Sequence, residues 1–432
     1  MNFNVPKVEK KRVVIVGGGF GGLELANKLC KSGFQVVLVD KNNYHQFLPM
    51  IYEVASAGLE PSSIAFPFRK IFQKRKDFYY RWADVTGVDS ENNLIETSIG
   101  PLKYDYLVLA TGTTTNYFGN ENIESVAMPM KTVEEAMAMR NALLANLEKS
   151  LTTEDLKERQ ALQNIVIVGG GATGVEVSGA LSEMKKFVIP KDYPEMEIHK
   201  VNVYLIEAGP RLLAAMSANA SENAEKFLRG MGVNVMLNTL VQDYKDGKVI
   251  LNNGMDIPTR TFIWVSGVIA TSFDHIGADM LGRGRRILVD EFNRVKGIEN
   301  VFAIGDVCLQ TEKDYPNGHP QLAQVAIQQG HLLASNLKKL ENGKKLSAFH
   351  YRNLGSLATI GRNKAVADFK KLRMHGWFAW IIWLLVHLRS ILGIRNKVMV
   401  LLNWVWSYLT YDRSIRLIMA AKKAKKIQIE SK

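Results

Sequence analysis

The chain has 432 residues, enough for two or three domains that each bury a hydrophobic core. Hydrophobic residues make up 47% of it and charged residues 22%, which argues against a disordered protein. The formal net charge of +13 favours an anionic partner, either nucleic acid or an anionic membrane surface. Cys30 and Cys308 lie far apart in no metal-ligand spacing, so we expect a reducing compartment, no disulfide framework and no metal site. The N-terminal sequence MNFNVPKVEKK lacks the apolar segment of a signal peptide.

Residues 12–40, RVVIVGGGFGGLELANKLCKSGFQVVLVD, form a strand–loop–helix–strand pattern. Gly17 permits the tight turn after the first strand, Gly19 lets a pyrophosphate approach the backbone, and Gly22 lets the helix pack closely. The helix N-terminus offers free N–H groups to phosphates. Asp40 ends the second strand, where an acid accepts hydrogen bonds from an adenosine ribose. The complete unit predicts a dinucleotide site rather than an ordinary glycine turn.

The same pattern recurs in residues 164–207. The strand NIVIV is followed by Gly169, Gly171 and Gly174 in the same spacing, and Glu207 ends the next strand. A proline-broken insertion explains why this acid lies farther from its glycines than in the first unit. Two such units predict two nucleotides, each with its own domain. The alternative is a structural duplication in which one site is inactive.

The identity of the acid in the second unit predicts which nicotinamide nucleotide binds. A carboxylate at Glu207 accepts a hydrogen bond from a ribose 2′-hydroxyl and repels a 2′-phosphate, which favours NADH over NADPH. Arg211 follows four residues later and could neutralise part of that repulsion. Glu207 could also be a solvated strand end, but its place in the pattern favours the functional interpretation.

Two short segments predict further cofactor contacts. Thr111 and Gly112 belong to an ATG turn after an apolar run, where small residues let the backbone approach a ligand. Gly305 and Asp306 follow the apolar run of GIENVFAIGD, and an acid there could bind a polyol hydroxyl of the cofactor. Asp306 could also cap a helix, and both roles are compatible.

Gln324 and Gln328 lie one helical turn apart in PQLAQVAIQQG, so they share one helix face. Taken alone, two such glutamines usually face solvent. Their proximity in sequence to Asp306 instead favours amides that bind carbonyl oxygens.

The tail has a different composition from the rest of the chain. Two aromatic runs, residues 377–388 and 398–411, hold five of the seven tryptophans and are separated by a basic break. Neither run reaches the length of about 18 to 20 residues that crosses a bilayer. Aromatic and basic residues together predict a helical region that lies in the membrane interface. The alternatives are a transmembrane helix over residues 377–394, a buried helix pair or a dimer interface. The terminal basic residues are Arg413, Arg416, Lys422, Lys423, Lys425 and Lys426.

From about residue 13 to 411 the chain resembles the type II NADH:quinone oxidoreductases, which belong to the two-dinucleotide-binding-domain flavoproteins. The resemblance rests on the paired glycine units, YHQFLPMIYEVASAGL, the IGD turn, AQVAIQQG and the aromatic-basic tail. It implies an α/β fold with two Rossmann-like domains and a C-terminal membrane-associating helical region. The implied domains are 1–125 with 285–345 for FAD, 126–284 for NADH, and 346–432 for membrane anchoring.

The resemblance also implies roles for individual residues. The first glycine unit with Asp306 corresponds to the FAD site and the second, with Glu207, to the NADH site. Glu176, expected in the first turn of the second helix, matches a glutamate near nicotinamide and flavin, although an acid there also stabilises a helix N-terminus. The residues that match the quinone pocket are Gln324 and Gln328, with Thr359 and Ile360 as additional candidates.

The implied activity is hydride transfer from NADH to FAD, followed by two-electron reduction of a quinone without proton pumping. We expect a monotopic protein on the cytoplasmic face of the inner membrane, bound to anionic lipid and not to nucleic acid, with a homodimer possible. Disulfide reductases are excluded because no CxxxxC pair follows the first unit. Two alternatives remain, a sulfide:quinone oxidoreductase, which needs redox cysteines, and a non-catalytic FAD- and NAD-binding membrane sensor.

Overall fold

The computed structural model describes residues 3–30, 32–271, 273, 277–411 and 416–419. The strands are, in chain order, β1 Arg12–Val16, β2 Gln35–Asp40, β3 Tyr44–Gln46, β4 Ala65–Pro67, β5 Phe78–Trp82, β6 Val85–Asp89, β7 Leu94–Thr97, β8 Leu102–Lys103, β9 Tyr106–Leu109, β10 Thr113–Thr115, β11 Asn164–Val168, β12 Asn202–Ile206, β13 Val233–Met236, β14 Val241–Lys245, β15 Lys248–Leu251, β16 Asp256–Pro258, β17 Thr261–Trp264, β18 Val268–Ala270, β19 Ile287–Leu288, β20 Val301–Ala303, β21 Cys308–Leu309, β22 Ser356–Gly361, β23 Lys364–Asp368 and β24 Arg373–His375.

The helices are α1 Phe20–Leu29, α2 Ile51–Ala55, α3 Pro61–Ile64, α4 Phe68–Phe72, α5 Glu121–Val126, α6 Val133–Thr152, α7 Leu156–Gln163, α8 Ala172–Phe187, α9 Ile189–Asp192, α10 Ala218–Gly230, α11 Ala323–Glu341, α12 Trp377–Ser390 and α13 Ile394–Thr410. The longest, α6, begins at a capping box in which Thr132 and Glu135 each accept a backbone N–H of the other.

The first domain is built on a parallel sheet with strand order β20-β9-β1-β2-β5. Its central strands are apolar along nearly their whole length because both faces are covered. Helices α1 and α11 pack together on one face, and the small antiparallel sheet β6-β7-β8 lies on the other. Strand β20 comes from a late part of the chain and completes the sheet begun by the N-terminal segment.

The second domain repeats this arrangement with a parallel sheet of order β13-β12-β11-β17. Helices α6, α8 and α10 contribute to the core on one face, and the antiparallel sheet β14-β15-β16 covers the other. Strands β10 and β18 pair antiparallel. The α/β class with two Rossmann-like domains is therefore confirmed.

The C-terminal region differs from the helical region expected from sequence, because an antiparallel sheet, β22-β23-β24, precedes its two helices. This sheet packs directly on α8 of the second domain. Gly179 of α8 makes the close approach possible, because a Cβ built there would overlap the carbonyl oxygen of Ile360 in β22. The apolar composition of the tail indicated its helices but gave no sign of how the preceding strands would dock.

Helices α12 and α13 bury few side chains, Ala379 and Trp383 from the first and Val400 from the second. No helix in the described ranges is long and apolar enough to span a bilayer. Arg416, expected at a lipid surface, forms an ion pair with Asp192 at 2.8 Å. Arg413 and the terminal lysines lie outside the described residues. The large apolar side chains that α12 and α13 expose include Trp377, Phe378, Leu385, Val386, Ile394, Val398, Met399, Leu401, Leu402, Val405, Trp406 and Leu409.

The packing of α8 on β22 leads to a matched pair of glycine substitutions. Gly179→Ala should lower the free energy of unfolding by about 1 to 3 kcal/mol, because the added methyl group displaces the Ile360 backbone. Gly230→Ala, at the end of α10 with open space around its Cβ, should be neutral or stabilising by up to about 1 kcal/mol. Denaturant unfolding measures both changes, and equal effects of the two substitutions would contradict the close docking.

Candidate functional site

The first glycine loop forms a cradle whose shape depends on missing side chains. Gly17 has a φ of +99°, and a Cβ there would overlap the carbonyl oxygen of Ala110, the residue after the neighbouring strand β9. A Cβ on Gly22 would overlap the carbonyl oxygen of Gly17, so helix and loop pack at backbone distance. Above Gly19 there is nothing within 4 Å of a Cβ position, which leaves the helix N-terminus open to a phosphate group.

Asp40 is oriented toward this cradle by two backbone groups. Its carboxylate accepts the N–H of Gly18 at 2.6 Å and that of Asn42 at 2.7 Å. Burial raises the pKa of Asp40, and the two hydrogen bonds oppose that rise by favouring the charged form. His45, which sequence reasoning passed over, contacts the carbonyl oxygen of Gly18 through Nδ1 at 2.9 Å. The loop and the acid are thus held as one unit that fits the ribose and pyrophosphate of a dinucleotide.

The second glycine loop has the same geometry. Gly169 has a φ of +116°, and a Cβ on Gly174 would overlap its carbonyl oxygen. The space above Gly171 is open within 4 Å of a Cβ position. The N–H of Gly169 donates to the carbonyl oxygen of Ile206 in β12 at 2.9 Å. In the first loop, the N–H of Gly17 donates to the carbonyl oxygen of Val39 in β2, also at 2.9 Å. The sequence repeat therefore reflects a repeat of backbone structure.

Glu207 is held by two backbone N–H groups, from Gly170 at 2.5 Å and from Gly209 at 2.6 Å. This fixes a carboxylate at the end of β12, where a ribose hydroxyl is expected. Arg211 does not neutralise it directly, because its guanidinium donates to the carbonyl oxygens of Met216 at 3.0 Å and Ala214 at 2.7 Å. Glu207 therefore presents a carboxylate that is bound to backbone N–H groups and not to Arg211.

Asp306 lies beside two residues that sequence reasoning missed. Thr113 donates to its carboxylate at 3.5 Å, and Lys131 donates to the hydroxyl of Thr113 at 2.9 Å. Burial raises the pKa of Asp306, and the charge of Lys131 opposes the rise. Lys131 lies on the connection into the second domain, far from Asp306 in sequence, so only the fold could reveal this pairing.

The turn before Asp306 depends on a buried glutamine. Gly305 has a φ of +74°, and its N–H donates to the side-chain oxygen of Gln329 at 2.7 Å. The ATG turn is tied to the interdomain connection, because the Thr111 hydroxyl donates to Thr271 at 2.7 Å and Gly112 accepts the N–H of Thr271 at 3.2 Å. The two small-residue turns therefore have defined positions at the edge of the first sheet.

Glu176 lies in the second turn of α8, one turn later than the sequence suggested. It lines a cavity between α8, the segment around α2 and the two tail helices. Burial raises the pKa of Glu176 well above its ordinary value; the backbone N–H of Thr359 opposes the rise and the nearby carboxylate of Glu53 adds to it. Glu53 was not identified from the sequence. Aromatic residues from the tail that line the same cavity are Trp380, Trp383, Trp404 and Tyr408.

Gln324 and Gln328 share one face of α11 as predicted, but their amides bind the chain itself. The amide of Gln324 donates to Gly355 at 3.0 Å and accepts the N–H of Leu354 at 2.9 Å. The amide of Gln328 makes the same pair of bonds to Arg352, at 2.9 and 3.0 Å. Both glutamines thus hold the segment that leads into β22.

Arg362 connects two walls of the Glu176 cavity, helix α8 and helix α13. Its backbone N–H donates to Glu183 at 2.5 Å, and its guanidinium donates to the carbonyl oxygens of Ser407 and Tyr408 in the last turn of α13. The guanidinium also lies over the Tyr411 ring, 3.5 Å from its centre. The tail helices are therefore part of the cavity and not a separate appendage.

Comparisons with known proteins agree with this geometry. The family described as pyridine nucleotide-disulphide oxidoreductase matches residues 11–330, and the NDH2 C-terminal domain matches residues 353–411. The type II NADH:quinone oxidoreductase NdhA of Mycobacterium tuberculosis is 32% identical, over 93% of this chain and 87% of that protein. The internal alternative NAD(P)H-ubiquinone oxidoreductase A1 of Arabidopsis thaliana is also 32% identical, over 95% and 86%.

Two solved structures share the fold. NDH2 from Plasmodium falciparum in complex with NADH superposes with a TM-score of 0.87 at 21% identity, over 95% of this chain and all of that one. The sulfide:quinone oxidoreductase of Aquifex aeolicus superposes with a TM-score of 0.72 at 19% identity, over 90% and 92%.

The raised pKa of Glu176 leads to a pH-dependent effect on stability. Above the ordinary glutamate pKa the unfolded chain loses a proton that the folded protein retains, so this residue destabilises the fold as pH rises. Glu176→Gln cannot ionise, so its melting temperature should match wild type near about pH 4 and exceed it by about pH 8. Glu96→Gln, at an exposed position on β7, is the control. A Glu176→Gln difference that is the same at both pH values would contradict the assignment.

Proposed function

The chain belongs to the type II NADH:quinone oxidoreductases, so it transfers electrons from NADH through FAD to a quinone without proton pumping, and we propose which residues bind each partner. The observation that carries the proposal is the duplicated cradle, in which each glycine loop is hydrogen-bonded to a fixed carboxylate, Asp40 in the first unit and Glu207 in the second. One cradle suits a resident cofactor and the other an exchangeable nucleotide.

FAD fits the first domain, which we assign to residues 1–125 and 285–345. Gly17, Gly19 and Gly22 form the pyrophosphate cradle, and Asp40 accepts from the ribose. Thr111, Gly112, Gly305 and Asp306 would face the remainder of the cofactor. When bound, FAD accepts a hydride from NADH and passes the electron pair to the quinone.

NADH fits the second domain, which we assign to residues 126–284. Gly169, Gly171 and Gly174 form its cradle, and Glu207 accepts from the 2′-hydroxyl of the ribose. A 2′-phosphate at that place would bring its negative charge against a fixed carboxylate, which disfavours NADPH.

Glu176 contributes a proton on the quinone side. Reduction of a quinone to a quinol consumes two protons. Burial raises the pKa of Glu176 well above its ordinary value, which favours the protonated carboxyl that can donate one of them. Gln324 and Gln328 would act on the same region indirectly, because they hold the segment that leads into β22 and so to Thr359 and Ile360. They act by shaping the wall of the quinone site as well as through any contact with quinone oxygens.

The two cysteines argue against the sulfide-oxidising alternative. Cys308 is fully buried, and burial raises its pKa to about 11; burial also raises the pKa of Cys30 to about 11. Thiols with such pKa values are largely unreactive at neutral pH, because the thiolate is the reactive form. Neither cysteine therefore has the character of a redox cysteine.

The exposed apolar face of α12 and α13 would bind one leaflet of an anionic membrane from its cytoplasmic side. Aromatic rings such as Trp377 and Trp406 suit the depth of the headgroups, and apolar burial would dominate the affinity. We assign membrane attachment to residues 346–432, although β22-β23-β24 in this range belongs to the globular body. Part of the same face would also suit a homodimer.

Separate measurement of the two half-reactions tests the function. The purified protein should show a flavin absorbance spectrum, lose it when mixed with NADH without oxygen, and regain it with a soluble quinone. NADH should be oxidised with a much higher kcat/KM than NADPH. Bound flavin that NADH does not reduce, or reduced flavin that quinones do not reoxidise, would refute the assignment.

Two substitutions should separate the half-reactions, one affecting reduction of the flavin by the nucleotide and the other affecting its reoxidation by quinone. Glu207→Gln should narrow the preference for NADH over NADPH and leave flavin reoxidation by quinone unchanged. Gln324→Ala should slow reoxidation or weaken quinone binding by about three- to tenfold for a lost amide hydrogen bond, with flavin reduction unchanged. If either substitution slows both half-reactions equally, the division of the two sites is wrong.

Membrane binding can be tested without removing the tail. Leu402→Asp combined with Leu409→Asp places two charges on the exposed face of α13 and should reduce flotation with anionic vesicles. Leu156→Asp, at an equally exposed leucine on α7, is the matched control. Flavin content and NADH oxidation with a soluble quinone should persist in all variants. Flotation of the double variant at the wild-type level would place the membrane contact elsewhere.

A further inference from the structure

Trp82 is the most exposed tryptophan of the chain, with 70% of its surface accessible. It ends β5, the edge strand of the sheet in the first domain, and is not part of the aromatic tail helices. Its indole is nevertheless fixed, because Nε1–H donates to the carbonyl oxygen of Lys41 at 2.6 Å. A large apolar ring held in one orientation in solvent is a suitable surface for another flat ring.

The strand order of the first sheet indicates what lies beside this ring. The cradle for the pyrophosphate follows β1, and Asp40, which receives the ribose, ends the neighbouring β2. The next strand outward is β5, which forms the edge of the sheet and ends at Trp82. Asp40 and Trp82 are register partners, and the N–H of Ala83 donates to Asp40 at 3.2 Å.

An adenine base is covalently attached to the ribose that Asp40 holds. A dinucleotide that runs from β1 to β2 therefore continues with its adenine toward β5, at the carboxyl edge of the sheet. Trp82, the register partner of Asp40, stands on this path, and its indole N–H donates to Lys41, the residue after Asp40.

We propose that Trp82 stacks on the adenine of FAD and slows release of the cofactor. The inference rests on the proposed FAD site in the first domain. The second domain provides a contrast: β13 ends at Met236, opposite the end of β12, and Leu-Asn-Thr-Leu follows with no aromatic residue. A stacked adenine suits a resident cofactor, whereas NADH must leave after each hydride transfer.

The rate of FAD release from the purified holoenzyme tests the proposal. Release is followed by the rise of flavin fluorescence after dilution, for wild type, Trp82→Phe, Trp82→Leu and Trp82→Ala. Stacking of a base on an aromatic ring predicts release about five- to one-hundred-fold faster in Trp82→Ala. Trp82→Phe should retain most of the effect, and Trp82→Leu should resemble Trp82→Ala because it is apolar but not aromatic.

Two controls separate stacking from other causes. Leu156→Ala removes a comparably exposed apolar side chain, on α7, and should release FAD at the wild-type rate. With FAD in excess, the KM for NADH should be the same in wild type and in the three Trp82 variants, because these substitutions do not change the second cradle.

Equal release rates in wild type, Trp82→Leu and Trp82→Ala would overturn the role of Trp82 while leaving the flavoenzyme assignment intact. Equal rates for Trp82→Phe and Trp82→Leu would likewise exclude aromatic stacking. A wild-type protein that contains no flavin and binds none when supplied with FAD would instead overturn the proposed function itself.

Discussion

Both nucleotide sites depend on one kind of hydrogen bond. A carboxylate at the end of the second strand of each unit accepts an N–H from the glycine loop that follows the first strand. Asp40 makes this bond to Gly18 and Glu207 makes it to Gly170. The bond fixes the loop and the carboxylate relative to each other. In the proposed sites, the loop N–H groups would then be free for phosphate and the rest of the carboxylate for a ribose. A single interaction thereby preorganises two parts of each site, which reduces the ordering required when a ligand binds.

Other parts of the chain complete the first sheet and enclose the Glu176 cavity. The late strand β20 completes the first sheet and delivers Asp306 to its edge. The C-terminal sheet then docks on α8 where Gly179 permits contact at backbone distance, and Arg362 joins that sheet to the end of α13. The Glu176 cavity exists only once these parts have assembled. Helices α12 and α13, which expose large apolar side chains on their outside, therefore also form a wall of that cavity.

Much of this could be predicted from the sequence because the relevant constraints are local. Gly17 and Gly169 occupy backbone conformations that favour glycine, so the spacing of glycines, strand and acid predicted both cradles. The tail helices were equally predictable from composition, because two local runs of apolar and aromatic residues beside basic residues are typical of helices at a membrane interface. The shared face of Gln324 and Gln328 followed from the helical repeat alone.

Only the tertiary structure decided which distant residues meet. Lys131 lies beside Asp306, and Glu53 beside Glu176, across separations of more than a hundred residues that no local pattern encodes. The amides of the two glutamines satisfy a backbone segment that only the docked C-terminal sheet brings near. The raised pKa of Glu176 has the same origin, because desolvation depends on every element packed around a group. The sequence by itself determined the nucleotide cradles and the helical tail, since these depend on neighbouring residues. The raised pKa of Glu176 and the cavity around it depend on packing between distant segments, and so only the fold decided them.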